Sequence, residues 1–235
     1  PQIDAALTKA GLDVNEAGWL PYAMIDAWQN LERDFAYWRV LNAAEERETD
    51  LERQAWYRAD RLRREALILR DIGVMGHYVG DGSQPHNTTI HYNGWGDHPN
   101  PEGFTNSRRT HAVFEGEFAS RVARLDAIEA AMPAAIGDGF DVRARTTAYL
   151  TTTLGTVIPF YRMEKEGAFA ETDPRGAAFV TERLAAGAAF SEVTHKSVRQ
   201  LHRELPGDLA RKRAELAALT EQGAALAARH GEIEG

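Results

Sequence analysis

Five of the eight histidines fall between positions 77 and 111, and two of them, on predicted helices, stand four residues before a carboxylate. His77 precedes Asp81, and His111 precedes Glu115. On a helix, side chains at this step share a face, with Cβ atoms about 5–6 Å apart. Each pair can therefore present an imidazole and a carboxylate to one cation. The chain contains no cysteine, so a metal site in it must be built from His, Asp and Glu, a donor set that suits Zn2+. A single His–acid pair is commonplace as a surface ion pair, whereas two pairs flanking a histidine-rich loop carry more weight. The plain alternative is a polar network in which these histidines cap helices and hydrogen-bond the loop.

The elements that must position these groups are legible from periodicity. After Pro21, well placed for a first helical turn, Ile25, Trp28, Leu31, Phe35, Trp38 and Leu41 recur at three- and four-residue steps, which predicts an amphipathic helix. Aromatic residues at this spacing belong to a core far more often than to a ligand platform. A second helix is predicted from Asp50 to about Gly80, with Leu62, Leu69, Ile72 and Val79 on one stripe. Residues 81–107 then carry seven Gly and Pro residues between Gly82 and Gly103, predicting a long loop of the kind that tends to be functional. A third helix follows with Phe114, Phe118, Val122 and Leu125 inward. A fourth is predicted from Val142 to Glu166 and a fifth from Arg175 to Glu204. A last Ala-rich helical segment runs from Asp208 to about Arg229. No sustained strand alternation occurs, so the expected class is all-α.

The 235 residues are enough for one full hydrophobic core. A formal charge of −8 argues against tight nonspecific binding of duplex nucleic acid, which needs a broad basic surface. It leaves metal-assisted phosphodiester chemistry open, because a bound cation supplies positive charge locally. No stretch approaches the roughly 20 apolar residues of a transmembrane helix.

The order of residues in the loop adds more. Gly76-His77-Tyr78-Val79-Gly80-Asp81-Gly82-Ser83-Gln84-Pro85, then His91-Tyr92-Asn93-Gly94-Trp95, then Thr110-His111-Ala112-Val113-Phe114-Glu115 resemble the family of zinc-dependent phospholipases C and single-strand-specific nucleases. That family's pattern is His-Tyr-x-x-Asp, Gln-Pro-(Leu or Met)-His, a loop, and His-x-x-x-(Glu or Asp). The segments Gly18–Asp26 and Arg33-Asp34-Phe35 also look like its bacterial members. The resemblance covers residues 18–118 and is only a shared helical character beyond.

It implies a single multi-helix domain over 1–235, with a metal-site core at 18–118, a long metal-covering loop and C-terminal helices over 140–235. It also implies three zinc ions and hydrolysis of phosphodiesters in phospholipid or single-stranded nucleic acid, with a periplasmic or secreted location. Carried over residue by residue, His77 ligates the first metal, Asp81 bridges metals as the catalytic carboxylate, and His111 and Glu115 hold the second. Tyr78, Asn87, Tyr92 and Trp95 are candidates for lining the substrate cleft.

Two departures qualify the resemblance. The family's remaining ligands precede its His-Tyr-x-x-Asp motif, yet here no histidine precedes His77 and no tryptophan precedes Trp19. With Pro1 in place of Met, the expectation is that the front of the family's domain is missing and that fewer than three zinc ions are held. The family also places a ligand six residues after the bridging Asp, which is Asn87 here, while His86 occupies the usual Leu or Met position. Three readings stand. His86 supplies the ligand after a one-residue shift; Asn87 is a substitution that weakens the second metal, an amide being a poor replacement for imidazole on zinc; or His91 swings in from the loop. Two rival functions also stand: a catalytically silent relative with a partial metal site, acting as a binding or structural module, and a helical interaction protein whose His/Asp cluster is incidental.

Overall fold

A computed structural model describes residues 18–133, 141–170 and 172–191, together with isolated positions before Gly18. The described helices all lie within one compact unit, Pro1–Ser191. The predicted continuation of the fifth helix to Glu204 and the Ala-rich segment Asp208–Arg229 lie outside the described residues. Among the described residues the secondary structure is helical, with no strand. The all-α expectation therefore holds for them.

Two long antiparallel helices form the base. α1 is Leu20–Arg47, with Pro21 in its first turn, and α2 is Leu51–Ser83. α2 begins where Asp50 caps it, its carboxylate accepting from the backbone N–H groups of Glu52 and Arg53 at 3.0 Å each, a contribution of about 1 kcal/mol. Only three residues separate the helices, so they pack back along each other. Met24, Trp28 and Leu31 of α1 meet Ile68, Met75 and Val79 of α2 in the first of two cores. Along the opening of this hairpin Glu45 holds Arg58 and Arg61 at 2.7 and 2.8 Å. Nearer the core, buried Asp34 accepts from Arg64 at 3.0 Å.

The stripe predicted for α2 needs one correction. Leu69 is exposed, and the inward face runs through Ile68, Met75 and Val79 with Ile72 half-buried. Steps of four, three and four keep those four on one side, and Leu69 lies about 100° round the helix from Ile68.

α2 continues past the predicted loop start to Ser83, and Pro85–Thr88 forms a 3-10 turn. The irregular loop therefore occupies 89–109. It is held from inside: Trp95 is buried and stacks on His91 at 3.7 Å, its indole N–H donates to the Pro99 carbonyl at 2.9 Å, and the Tyr161 hydroxyl donates to the His91 carbonyl at 2.6 Å. Gly94 adopts φ +86°, and a Cβ there would lie 2.8 Å from the Asn106 carbonyl carbon, so this turn requires glycine.

α3 (110–122) consists of three joined pieces: Thr110–Ala112 is α-helical, Val113–Ala119 is π-helical and Ser120–Val122 returns to α. Phe114 and Phe118 are buried as predicted, but Leu125 is 73% exposed. The reason is that the chain turns extended at Ala123 and Leu125 opens a separate short helix, α4 (Leu125–Ala131).

The helix predicted over Val142–Glu166 is two. α5 (Val142–Gly155) and α6 (Val157–Lys165) break at Thr156. Pro159 explains the break, because it has no N–H to give the carbonyl four residues back, at Gly155, and its ring collides with that carbonyl. α7 is Pro174–Phe190, capped by Asp173. Phe160, Tyr161, Phe179 and Val180 join Phe114, Phe118 and Trp95 in the second core. No helix among the described residues is long and apolar enough to cross a membrane.

Candidate functional site

The C-terminal end of α2 and the first turns of α3 open on one cavity of about 410 Å³. Both sequence pairs form. His77 Nε2 lies 3.4 Å from Asp81 Oδ2, and His111 Nε2 lies 2.7 Å from Glu115 Oε2. His77, Asp81 and Glu115 line the cavity, and His111 stands behind Glu115 through its hydrogen bond.

The two pairs sense each other. The Asp81 carboxyl is raised above the usual carboxylate range, first by partial burial and further by the charge of Glu115, with His77 and His111 pulling in the opposite direction. A carboxylate raised by a second carboxylate is a group whose charged form gains from a nearby cation.

Among the described residues, no group of three or more His, Asp and Glu side chains is arranged to hold a metal ion. The donor types suit zinc chemically, but they stand as two separate His–carboxylate pairs rather than as a closed cage.

Gln84, which sequence reasoning left without a role, ties the site together. It is buried, its side-chain N–H donates to Glu115 Oε2 at 3.4 Å, and its Oε1 lies 3.2 Å from His86 Nδ1. Its signal was the Gln-Pro step, which caps the 3-10 turn and fixes the amide at the end of α2.

His86 is brought next to the pairs but faces the core. It is 1% exposed, stacks on His111, and meets Phe160 and Tyr161 edge-on at 4.5 and 5.8 Å. Its Nε2 has no hydrogen-bond partner among the described residues. Burial, aided by His111, lowers its pKa to about 4, so it is neutral at pH 7. Asn87 is exposed and donates from its amide to the Asp81 carbonyl at 3.2 Å. His91 is held in the loop, with Nδ1 2.7 Å from the Trp95 carbonyl oxygen.

The residues expected to line a cleft go elsewhere. Trp95 belongs to the second core. Tyr92 is 63% exposed. Tyr78 faces a different cavity, of about 320 Å³, between α1 and α2. None of them, nor Asn87, lines the cavity at Asp81. That cavity instead has an apolar wall including Phe114, Ala119, Val180 and Leu184, and a buried cation, Arg183. The signal for Arg183 was a basic residue standing inside the Ala- and Phe-rich stretch between Gly176 and Phe190.

No protein-family model, no curated protein and no solved structure matches this chain.

Proposed function

We propose that the chain is a zinc-dependent phosphodiesterase in which His77, Asp81, His111 and Glu115 are the metal-binding side chains. The observation that supports this reading is the meeting of two His–carboxylate pairs, from separate helices, at one cavity where the charge of Glu115 adds to the cost of ionising Asp81. The motif resemblance over residues 76–115 supports the same reading, and phospholipid and single-stranded nucleic acid are its substrate classes. An exported, periplasmic or extracellular setting goes with it.

Bound zinc supplies Lewis acidity toward phosphoryl oxygens and acidifies water. The chain's own residues do the rest. Asp81 turns its carboxylate to the cavity from the last turns of α2. Gln84 orients Glu115 by hydrogen-bonding one of its oxygens, the kind of support on which ligand geometry depends. The apolar wall keeps the local dielectric low and strengthens each polar contact.

A chromogenic phosphodiester assayed with the full chain, before and after chelation and after zinc is restored, tests this reading. Hydrolysis indifferent to chelator defeats it. The arrangement of donors as pairs, with no group of three among the described residues, favours a second reading: a catalytically silent relative that binds a single ion. Elemental analysis separates the two, since several zinc ions per chain go with the enzyme and one or none with the silent relative.

A further inference from the structure

We infer that Arg183 is the anion-recognising residue of this cavity, its guanidinium holding a non-bridging oxygen of a phosphoryl group. The identity of the anion rests on the phosphodiesterase reading; the site itself rests on Arg183.

Arg183 lies on α7 in the cavity wall, between Val180 one turn before it and Leu184, and is 6% exposed. A guanidinium carries five N–H donors and stays charged at every accessible pH. One Nη donates to the Thr153 hydroxyl at 3.3 Å, and the other to Glu182 Oε1 at 3.1 Å. The buried Nε–H has no partner among the described residues. Thr153 is a neutral acceptor. The Glu182 contact is an ion pair, but the Glu182 side chain is 67% exposed, so water screens it and it offsets the guanidinium charge only in part.

Asp81, in the same cavity, does not neutralise it either. The charges acting on Asp81 come from His77, Glu115 and His111. A buried cation paired only with an exposed carboxylate gains from a second anion on its cavity side. Packing alone gives no reason for arginine here: Phe179, Val180, Ala185 and Gly187 surround the position on the buried side of α7, and a leucine or methionine would continue that stripe. The planar fork of arginine matches two oxygens of a tetrahedral phosphoryl group, and the apolar wall strengthens such a contact by excluding water.

The test is calorimetric titration of the full chain with inorganic phosphate in the presence of chelator, so that no metal contributes. Four proteins are compared: wild type, Arg183→Gln, Arg183→Lys, and Ala123→Phe, which adds bulk to the cavity lining from outside α7. Circular dichroism checks that each is folded. Wild type is expected to bind phosphate saturably, more weakly as sodium chloride is added. Arg183→Gln should bind about tenfold more weakly or worse, Arg183→Lys between the two, and Ala123→Phe should lose binding. Absence of saturable binding in wild type overturns the proposal, as does wild-type affinity in Arg183→Gln or in Ala123→Phe. If Arg183→Gln does not fold, Ala123→Phe decides. Arginine-dependent phosphate binding in a protein whose hydrolysis ignores chelator would sink the phosphodiesterase reading and leave this anion site standing; the reverse pattern would sink the anion site alone.

Discussion

The imidazole of His86 lies stacked on that of His111, with ring centroids 5.2 Å apart and planes 17° from parallel. The two rings have different neighbours. His111 reaches Glu115 on the cavity side, while His86 is enclosed by Phe114, Phe160 and Tyr161. Gln84 then connects the ring behind to the carboxylate in front. His86 thus backs the cavity, setting the plane of His111 by contact and the orientation of Glu115 through an amide.

The first prediction follows from that burial. The pKa of His86 falls to about 4 in the folded protein, against an ordinary value of 6.5. Above pH 6.5 the ring is neutral folded or unfolded, and no pH-dependent cost arises. As pH falls from 6.5 toward 4 the unfolded chain takes up a proton that the folded chain refuses, so stability drops, by up to about 3 kcal/mol. Urea midpoints at pH 7 and pH 4.5, measured with chelator present, should show this loss in wild type and much less of it in His86→Phe. An equal loss in both would mean that another group is responsible.

A second prediction concerns Asp81. Asp81→Asn keeps the shape and removes the charge, so chelator-sensitive hydrolysis should fall on the order of 100-fold or more. The rise in melting temperature on adding zinc should shrink with it, because a ligand stabilises only in proportion to its affinity for the folded state. A variant that keeps its full zinc-dependent shift would remove Asp81 from the metal site.

Asn87 provides a gain-of-function test. Its amide caps the Asp81 carbonyl from an exposed position six residues along, where the resembling family has histidine. Asn87→His should raise zinc content and chelator-sensitive hydrolysis, at the cost of one hydrogen bond of about 1 kcal/mol. Elemental analysis and rate measurement on the same preparation check it. No change in either would mean that this position does not face the metal.

The hairpin of α1 and α2 could be read from apolar spacing because its packing is local and follows one period. Trp28, Leu31 and Val79 went where the pattern put them. What escaped depended on single events that periodicity does not record. The helix break at Thr156 follows from Pro159 acting on a carbonyl four residues earlier, and Leu125 turns outward because Ala123 leaves the helix. At the site, the i,i+4 pairs were legible because a helix places them without outside help. The burial of His86 and the role of Gln84 were not, since both depend on α6 and α3 packing over the 3-10 turn. Arg183 enters the cavity from a helix about a hundred residues away along the chain, a proximity that only the tertiary fold creates.

Glycine substitutions give a stability prediction with an internal control. At Gly187 a Cβ would lie 2.5 Å from the Ser83 hydroxyl and 3.2 Å from that of Tyr149, and these two hydroxyls are already joined to each other. Neither can move away freely, so Gly187→Ala should destabilise by about 1–3 kcal/mol. At Gly73, in the middle of α2, a Cβ meets nothing within 4 Å, and alanine there should stabilise by about 0.5–1 kcal/mol. Urea denaturation of the two variants should move in opposite directions; a Gly187→Ala as stable as wild type would contradict the tight packing of α7 on α2.

The π-helical run Val113–Ala119 gives α3 one residue more than its core registry needs. Its i→i+5 bonding absorbs one more residue than an α-helix of the same rise, and this phase keeps Phe114 and Phe118 in the core while Glu115 faces the cavity. Deleting a residue such as exposed Gly116 would let the segment relax to regular α-helix with better-aligned backbone bonds. Phe118 would then stand three residues after Phe114, still on the same face of the helix, so the aromatic core would keep its registry. The extra residue is therefore carried by the turn that holds Glu115, the carboxylate partner of His111, while the aromatic core does not depend on it.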